Sequence, residues 1–219
     1  MSRLTLDHPL RALHGNLVRL SCLVDQAIQQ ASQALATRNL SLARQVVAGD
    51  SEVNALRYRI EDHCLAIIAT QQPAAHDLRM IMAVFSMATE LERMADLASG
   101  LATLALWIGD EPCPAPAAGL VTLAEQCRQM LRRALDAYLS RNVALARQVI
   151  ASDDLADDLY QEVFQGLRVA ISQDARQVSR ILPLLFAAHN LERIGDRAVN
   201  LAERSLFAMN VAWKNTPFI

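Results

Sequence analysis

The sequence is short of aromatic residues, glycine and proline: 5% of its 219 positions are aromatic, and Gly and Pro number seven each. That scarcity, in a chain otherwise 53% hydrophobic, favours helices packed on helices over sheets. An excess of either charge is also missing, since the net charge is −2. No basic nucleic-acid surface and no polybasic membrane anchor is therefore expected. Long apolar runs are absent too. The longest, around Met80–Met87 and Ile181–Ala188, are too short to span a bilayer and lead straight into charged residues. Met1 to Pro9 lack the basic-then-apolar order of an export signal. These absences predict a soluble cytoplasmic protein with no nucleic-acid partner and no direct membrane insertion.

Catalytic signatures are missing as well. The four cysteines, Cys22, Cys64, Cys113 and Cys127, form no C-x-x-C pair and read as small apolar groups without disulfides. No P-loop, Ser/His/Asp order or Cys/His pair suggests catalysis. None of the five histidines has a Glu three residues before it, which argues against a carboxylate-bridged di-iron enzyme. The expectation is that the chain is not an enzyme.

What is present is an internal repeat. Arg38-Asn39 and Leu42-Ala43-Arg44-Gln45-Val46 return as Arg141-Asn142 and Leu145-Ala146-Arg147-Gln148-Val149. Leu91-Glu92-Arg93-Met94-Ala95-Asp96 returns as Leu191-Glu192-Arg193-Ile194-Gly195-Asp196. The offset drops from 103 (Leu42 to Leu145) to 100 (Leu91 to Leu191), so the first copy carries a small insertion, placed at the turn Gln71-Gln72-Pro73. Gly109 to Pro116 holds three alternate prolines and reads as a linker. Helices are expected near 8–37, 40–71 and 74–108, then near 118–140, 142–172 and 175–211. Pro183 should kink the last helix or mark its true start.

The stripe Val84, Met87, Leu91, Met94, Ala98 and Leu101 has three-four spacing, and Leu184, Ala187, Leu191, Ile194, Ala198 and Leu201 repeat it. The second helix of each unit carries its own stripe: Leu42, Val46, Gly49, Val53, Leu56 and Ile60, then Leu145, Val149, Ser152, Ala156, Leu159 and Val163. The predicted fold is all-α, two tandem three-helix bundles from a duplication. Their bounds are 1–108 and 118–219, with 109–117 as the linker.

Glu92 and Asp96, and likewise Glu192 and Asp196, sit one helical turn apart on one face, bordering the core. Such like charges repel by a few tenths of a kcal/mol. Basic neighbours or a bound cation would offset that. On the second helix of each unit, Asp50 and Asn54 match Asp153 and Asp157. If these helices are antiparallel neighbours, the pairs converge on an oxygen-only cation site suited to Mg, Ca, Mn or iron. The competing account is ordinary ion pairing with Arg93, Arg193 and Arg197. His189 shares the Glu192 face but is matched by Thr89, so it reads as a surface histidine. The expected metal ligands are Asp153, Asp157, Glu192, Asp196, Glu92, Asp96 and Asp50.

Those residues carry a resemblance. Gln72-Pro73 through Asp77-Leu78-Arg79 is similar to the Gln-Pro-x-x-x-Asp-Leu-Arg turn of the PhoU family. Glu92-Arg93-Met94-Ala95-Asp96 and Glu192-Arg193-Ile194-Gly195-Asp196, with Asn200, resemble its two E-R-I-G-D signatures. The chain departs from the pattern at Asn54, Arg57 and Ala95. The resemblance implies tandem three-helix bundles, a homodimer, and metal clusters on the acidic motifs. It also implies a negative regulator of phosphate uptake and of the Pho regulon, acting between the phosphate ABC transporter ATPase and a sensor histidine kinase. The alternative is a metal-free helical adaptor for another transporter.

Overall fold

The computed structural model describes residues 4–109 and 117–211. Within them the elements are α1 (Leu4–Thr37), α2 (Leu40–Gln71), α3 (Ala75–Ile108), α4 (Ala117–Leu139), α5 (Val143–Ala151), α6 (Asp153–Gln173) and α7 (Val178–Ala208). A single 3₁₀ turn, Ala175–Gln177, precedes α7, and the described residues contain no strand.

The repeated Arg-Asn pair explains itself at the first turn of each unit. Arg38 and Arg141 take left-handed backbones, with φ of 57° and 52°. The next N–H reaches back to close the preceding helix, Asn39 to the Ala34 carbonyl and Asn142 to the Ala137 carbonyl. The asparagine then caps the following helix, accepting from the Leu42 and Leu145 amides at 3.0 Å. A left-handed arginine costs on the order of 1 kcal/mol, and these bonds offset it.

α1, α2 and α3 pack as one bundle, and α4 with α5, α6 and α7 as the other. The two meet along α3 against α7 and α1 against α4. All twelve stripe residues of α3 and α7 are buried, the methionines included. Across the α1–α4 seam, Arg128 is almost wholly buried and bonds Asp25 and Gln29 of α1 and Glu125 of its own helix.

Three expectations need correcting. The fifth predicted helix is two, because at Ser152 the N–H is shared between the Gln148 and Val149 carbonyls and the chain tightens for one turn. The second-helix stripe does not include Gly49, which is exposed; Ala43 and Ala146 are buried in the core instead. Pro183 does not mark a helix start: α7 begins five residues earlier and runs through it, giving up the bond to the Ser179 carbonyl.

Residues 72–74 separate α2 from α3, and Asp174 with the 3₁₀ turn separates α6 from α7. Gly109 caps α3 with φ of 69°, residues 110–116 fall outside the described residues, and Ala117, expected in the linker, already belongs to α4. Cys64 and Cys127 are buried as expected, Cys22 is exposed, and Cys113 lies outside the described residues. No helix among the described residues is long and apolar enough to cross a membrane.

Candidate functional site

The carboxylate helices are antiparallel neighbours within each bundle, α2 beside α3 and α6 beside α7. In the second bundle Asp153, Asp157, Glu192 and Asp196 form one electrostatic group. Burial raises the Asp153 carboxyl above its usual range, and Asp157 and Asp196 push it further. Burial likewise raises Asp196, reinforced by Asp157, while Arg197, Arg193 and His189 pull the other way. Glu192 is raised by burial and by Asp196, with His189 opposing.

Glu192 has the least local support. Its Oε2 is buried and accepts no hydrogen bond, and His189 Nδ1 stands 3.4 Å away, an ion-pair separation without hydrogen-bond geometry. His189 itself is more than half exposed. Across the helix pair, Tyr160 brings a phenol towards Glu192, and that carboxylate pushes the Tyr160 hydroxyl up beyond the effect of burial.

The first bundle is built differently at the same positions. Asn54 Nδ2 donates to Asp50 Oδ2 at 2.9 Å. Burial and the Asp96 charge raise the Asp50 carboxyl, and that amide pulls it down. Arg57, which stands where the second bundle has Tyr160, pairs with Glu61 at 2.6 Å and reaches Glu92 at 3.7 Å. Glu92 is raised by burial and Asp96, against the pull of Arg57 and Arg93. A neutral amide and a guanidinium thus supply internally what a bound cation would supply from outside.

Beneath the second group lies Cys127, whose thiol donates to the Leu191 carbonyl at 3.2 Å. Burial pushes that thiol up to about 12, so it is a packed apolar group and no thiolate ligand. A methyl on Gly195 would meet Ala156 and Cys127 at 3.7 Å, ordinary contact, in keeping with Ala95 at the equivalent position.

Among the described residues, no three His, Cys, Asp or Glu side chains stand together in a geometry that would hold a metal ion. The sequence-derived ligands are brought to one flank of each bundle, but their oxygens are not drawn onto a common point. The orphaned Glu192 oxygen and the mutual repulsion of four carboxylates fit a hard cation in the second bundle. The first bundle, compensated by Asn54 and Arg57, fits one poorly.

One grouping of residues was not foreseen from the sequence. Arg93, Asp96 and Leu97 of α3 face Asn190, Arg193 and Arg197 of α7 across an open groove between the bundles. Only the register of α3 against α7 brings them together, and that register is not encoded in the spacing along either helix.

The PhoU domain family matches the chain twice, over residues 17–105 and 120–205. The phosphate-specific transport system accessory protein PhoU homolog of Aquifex aeolicus is 34% identical over 177 residues, covering 81% of this chain and 80% of that protein. The phosphate-specific transport system accessory protein PhoU of Edwardsiella tarda is 32% identical over 194 residues, 89% of this chain and 80% of its own length. The crystal structure of PhoU from Pseudomonas aeruginosa superposes with a TM-score of 0.89 at 31% identity, covering 93% of this chain and 98% of that one.

Proposed function

The chain belongs to the PhoU family, and from that premise we propose that it is an accessory protein of a phosphate transport system that restrains phosphate uptake. The observation that carries this reading is the double family match, one to each repeat, with relatives that share the accessory name over most of both chains. In the finer form of the proposal, the protein is a cytoplasmic homodimer. It contacts the transporter ATPase and the sensor histidine kinase, and it lowers Pho-regulon expression when phosphate is plentiful.

A cation belongs to the same proposal, held by Asp153, Asp157, Glu192 and Asp196. It would neutralise a group in which burial and mutual repulsion disfavour Asp153, Glu192 and Asp196 as ions, with Asp157 adding its charge. Oxygen-only ligation favours Mg, Ca, Mn or iron. With that charge neutralised, α6 and α7 would be held at one separation, which makes the flank a firm surface for a partner. The first bundle holds a cation more weakly or not at all.

The test is a deletion strain grown in high phosphate. Constitutive Pho-regulon expression is the expected result, with the transporter or kinase recovered alongside the tagged protein from phosphate-replete cells. Normal repression in the deletion strain, together with recovery of a different transporter, would favour an adaptor for another solute.

A further inference from the structure

We infer that the groove between α3 and α7 is a binding site for free inorganic phosphate, held by Arg93, Arg193, Arg197 and Asn190. The groove has a volume of about 600 Å³ and opens along the seam between the two bundles. Its position follows from the antiparallel register of the helices. Glu90 of α3 accepts from Arg197 Nη1 at 3.2 Å and from Asn200 at 3.1 Å, and Asn190 lies against Gly100. Positions 93 and 197 are therefore opposed, and Arg193 enters one turn earlier along α7.

The donors in this groove outnumber their acceptors. Arg193 makes no hydrogen bond or close ion pair with any described residue, its charge acting only at longer range on Glu192 and Asp196. Arg197 spends one Nη on Glu90, while its Nε is buried with no acceptor. Arg93 touches the same Glu90 at 3.5 Å, so one carboxylate serves two guanidinium groups. The Asn190 amide makes no hydrogen bond with a described residue. A methyl on Gly100 would come within 2.9 Å of its Nδ2, and the glycine is what lets the amide lie across the seam.

Among the lining residues Asp96 is the single carboxylate, and its charge acts on Asp50 of α2 and on Glu92 of its own helix. The Asp196 charge is likewise coupled to that of Asp157 of α6. Guanidinium groups converging from two helices, with a neutral amide beside them, suit a tetrahedral oxyanion that accepts several bonds at once. The site lies between the two carboxylate flanks and borders both, through Asp96 on one side and through the pull of Arg193 on Glu192 and Asp196 on the other. Its physiological ligand rests on the accessory role proposed above, whereas the site itself rests on the groove.

Isothermal titration of the full-length protein with inorganic phosphate tests this, at fixed ionic strength and with a chelator present so that no metal carries the anion. Saturable binding is expected, weakened at least tenfold in both Arg193→Gln and Arg93→Gln. These side chains are exposed, so both variants should fold, and unchanged thermal melts check that. No saturable binding by the wild type, or unaltered binding by both variants, would overturn the inference. So would binding of a phosphate monoester such as AMP without binding of free phosphate. If phosphate does not bind but the deletion strain still loses repression, this site falls and the accessory role stands.

Discussion

Asn54 Nδ2 donates to Asp50 Oδ2 at 2.9 Å, whereas the matching positions of the second repeat, Asp157 and Asp153, bring two carboxylates together. An amide thus stands in the first bundle where the second sets one carboxylate against another. Asn54→Asp should turn an attraction into a repulsion and lower cation-free stability by about 1 kcal/mol. Asp157→Asn should raise it. Urea unfolding in the presence of a chelator measures both, and shifts of the same sign would contradict the comparison.

Asp196 stands between Asp157 across the helix pair and Glu192 along its own helix. Removing its charge should abolish cation binding in the second bundle. The expected result is loss of metal from Asp196→Asn purified without chelators, and loss of the stabilisation that the cation gives the wild type. Were Asp196 only a partner of surface arginines, metal content would not change and stability would move by about half a kcal/mol or less. Elemental analysis paired with thermal melts separates the two outcomes.

Asp50, Glu92, Asp153, Glu192 and Asp196 all titrate above their usual values, with burial the largest cause in each. The folded protein therefore binds more protons than the unfolded chain between the ordinary and the raised pKa. Stability contributed by these groups is present below the ordinary carboxylate pKa and falls as pH rises through the raised one. Against the cation-free wild type, Asp153→Asn/Glu192→Gln should lose less stability between about pH 4 and about pH 7. A bound cation, which favours the ionised carboxylates, should offset or reverse that loss as pH rises. Melts across that range check it, and identical slopes would sink it.

Gly195→Ala should be accepted, because its methyl meets Ala156 and Cys127 at contact distance and the helix gains propensity. The expected change is a gain of up to about 1 kcal/mol. Gly100→Ala is the contrasting substitution, since its methyl displaces the Asn190 amide. Its melt should show a smaller gain or a loss, and equal gains would mean that Asn190 moves freely.

Most of the helical frame was legible because duplication and three-four spacing reinforce each other. The α3 and α7 stripes are buried at every position, and the Arg-Asn pairs mark the same turn twice. The break at Ser152 was hidden, since serine neither stops a helix nor interrupts the apolar rhythm around it. Gly49 misled for a related reason: with no side chain, it fits a core stripe or an exposed face equally well on paper. The departures at Asn54 and Arg57 could be read as weakening the first site. That Arg57 reaches Glu92 depended on the packing of α2 against α3. The arginine groove was beyond reach, because residues of different bundles meet there through the register of α3 on α7.

That register carries a consequence for the history and the chemistry of the seam. Two separate copies of one three-helix unit, meeting about a dyad, would have to present identical residues on either side of their axis. Covalent fusion releases that obligation, and the seam has used the release. Glu90 confronts Arg197 on one side, whereas their counterparts Asn190 and Leu97 occupy the other. The fused pair therefore has a front and a back along its seam, a directionality that a dyad-related pair of identical halves does not have.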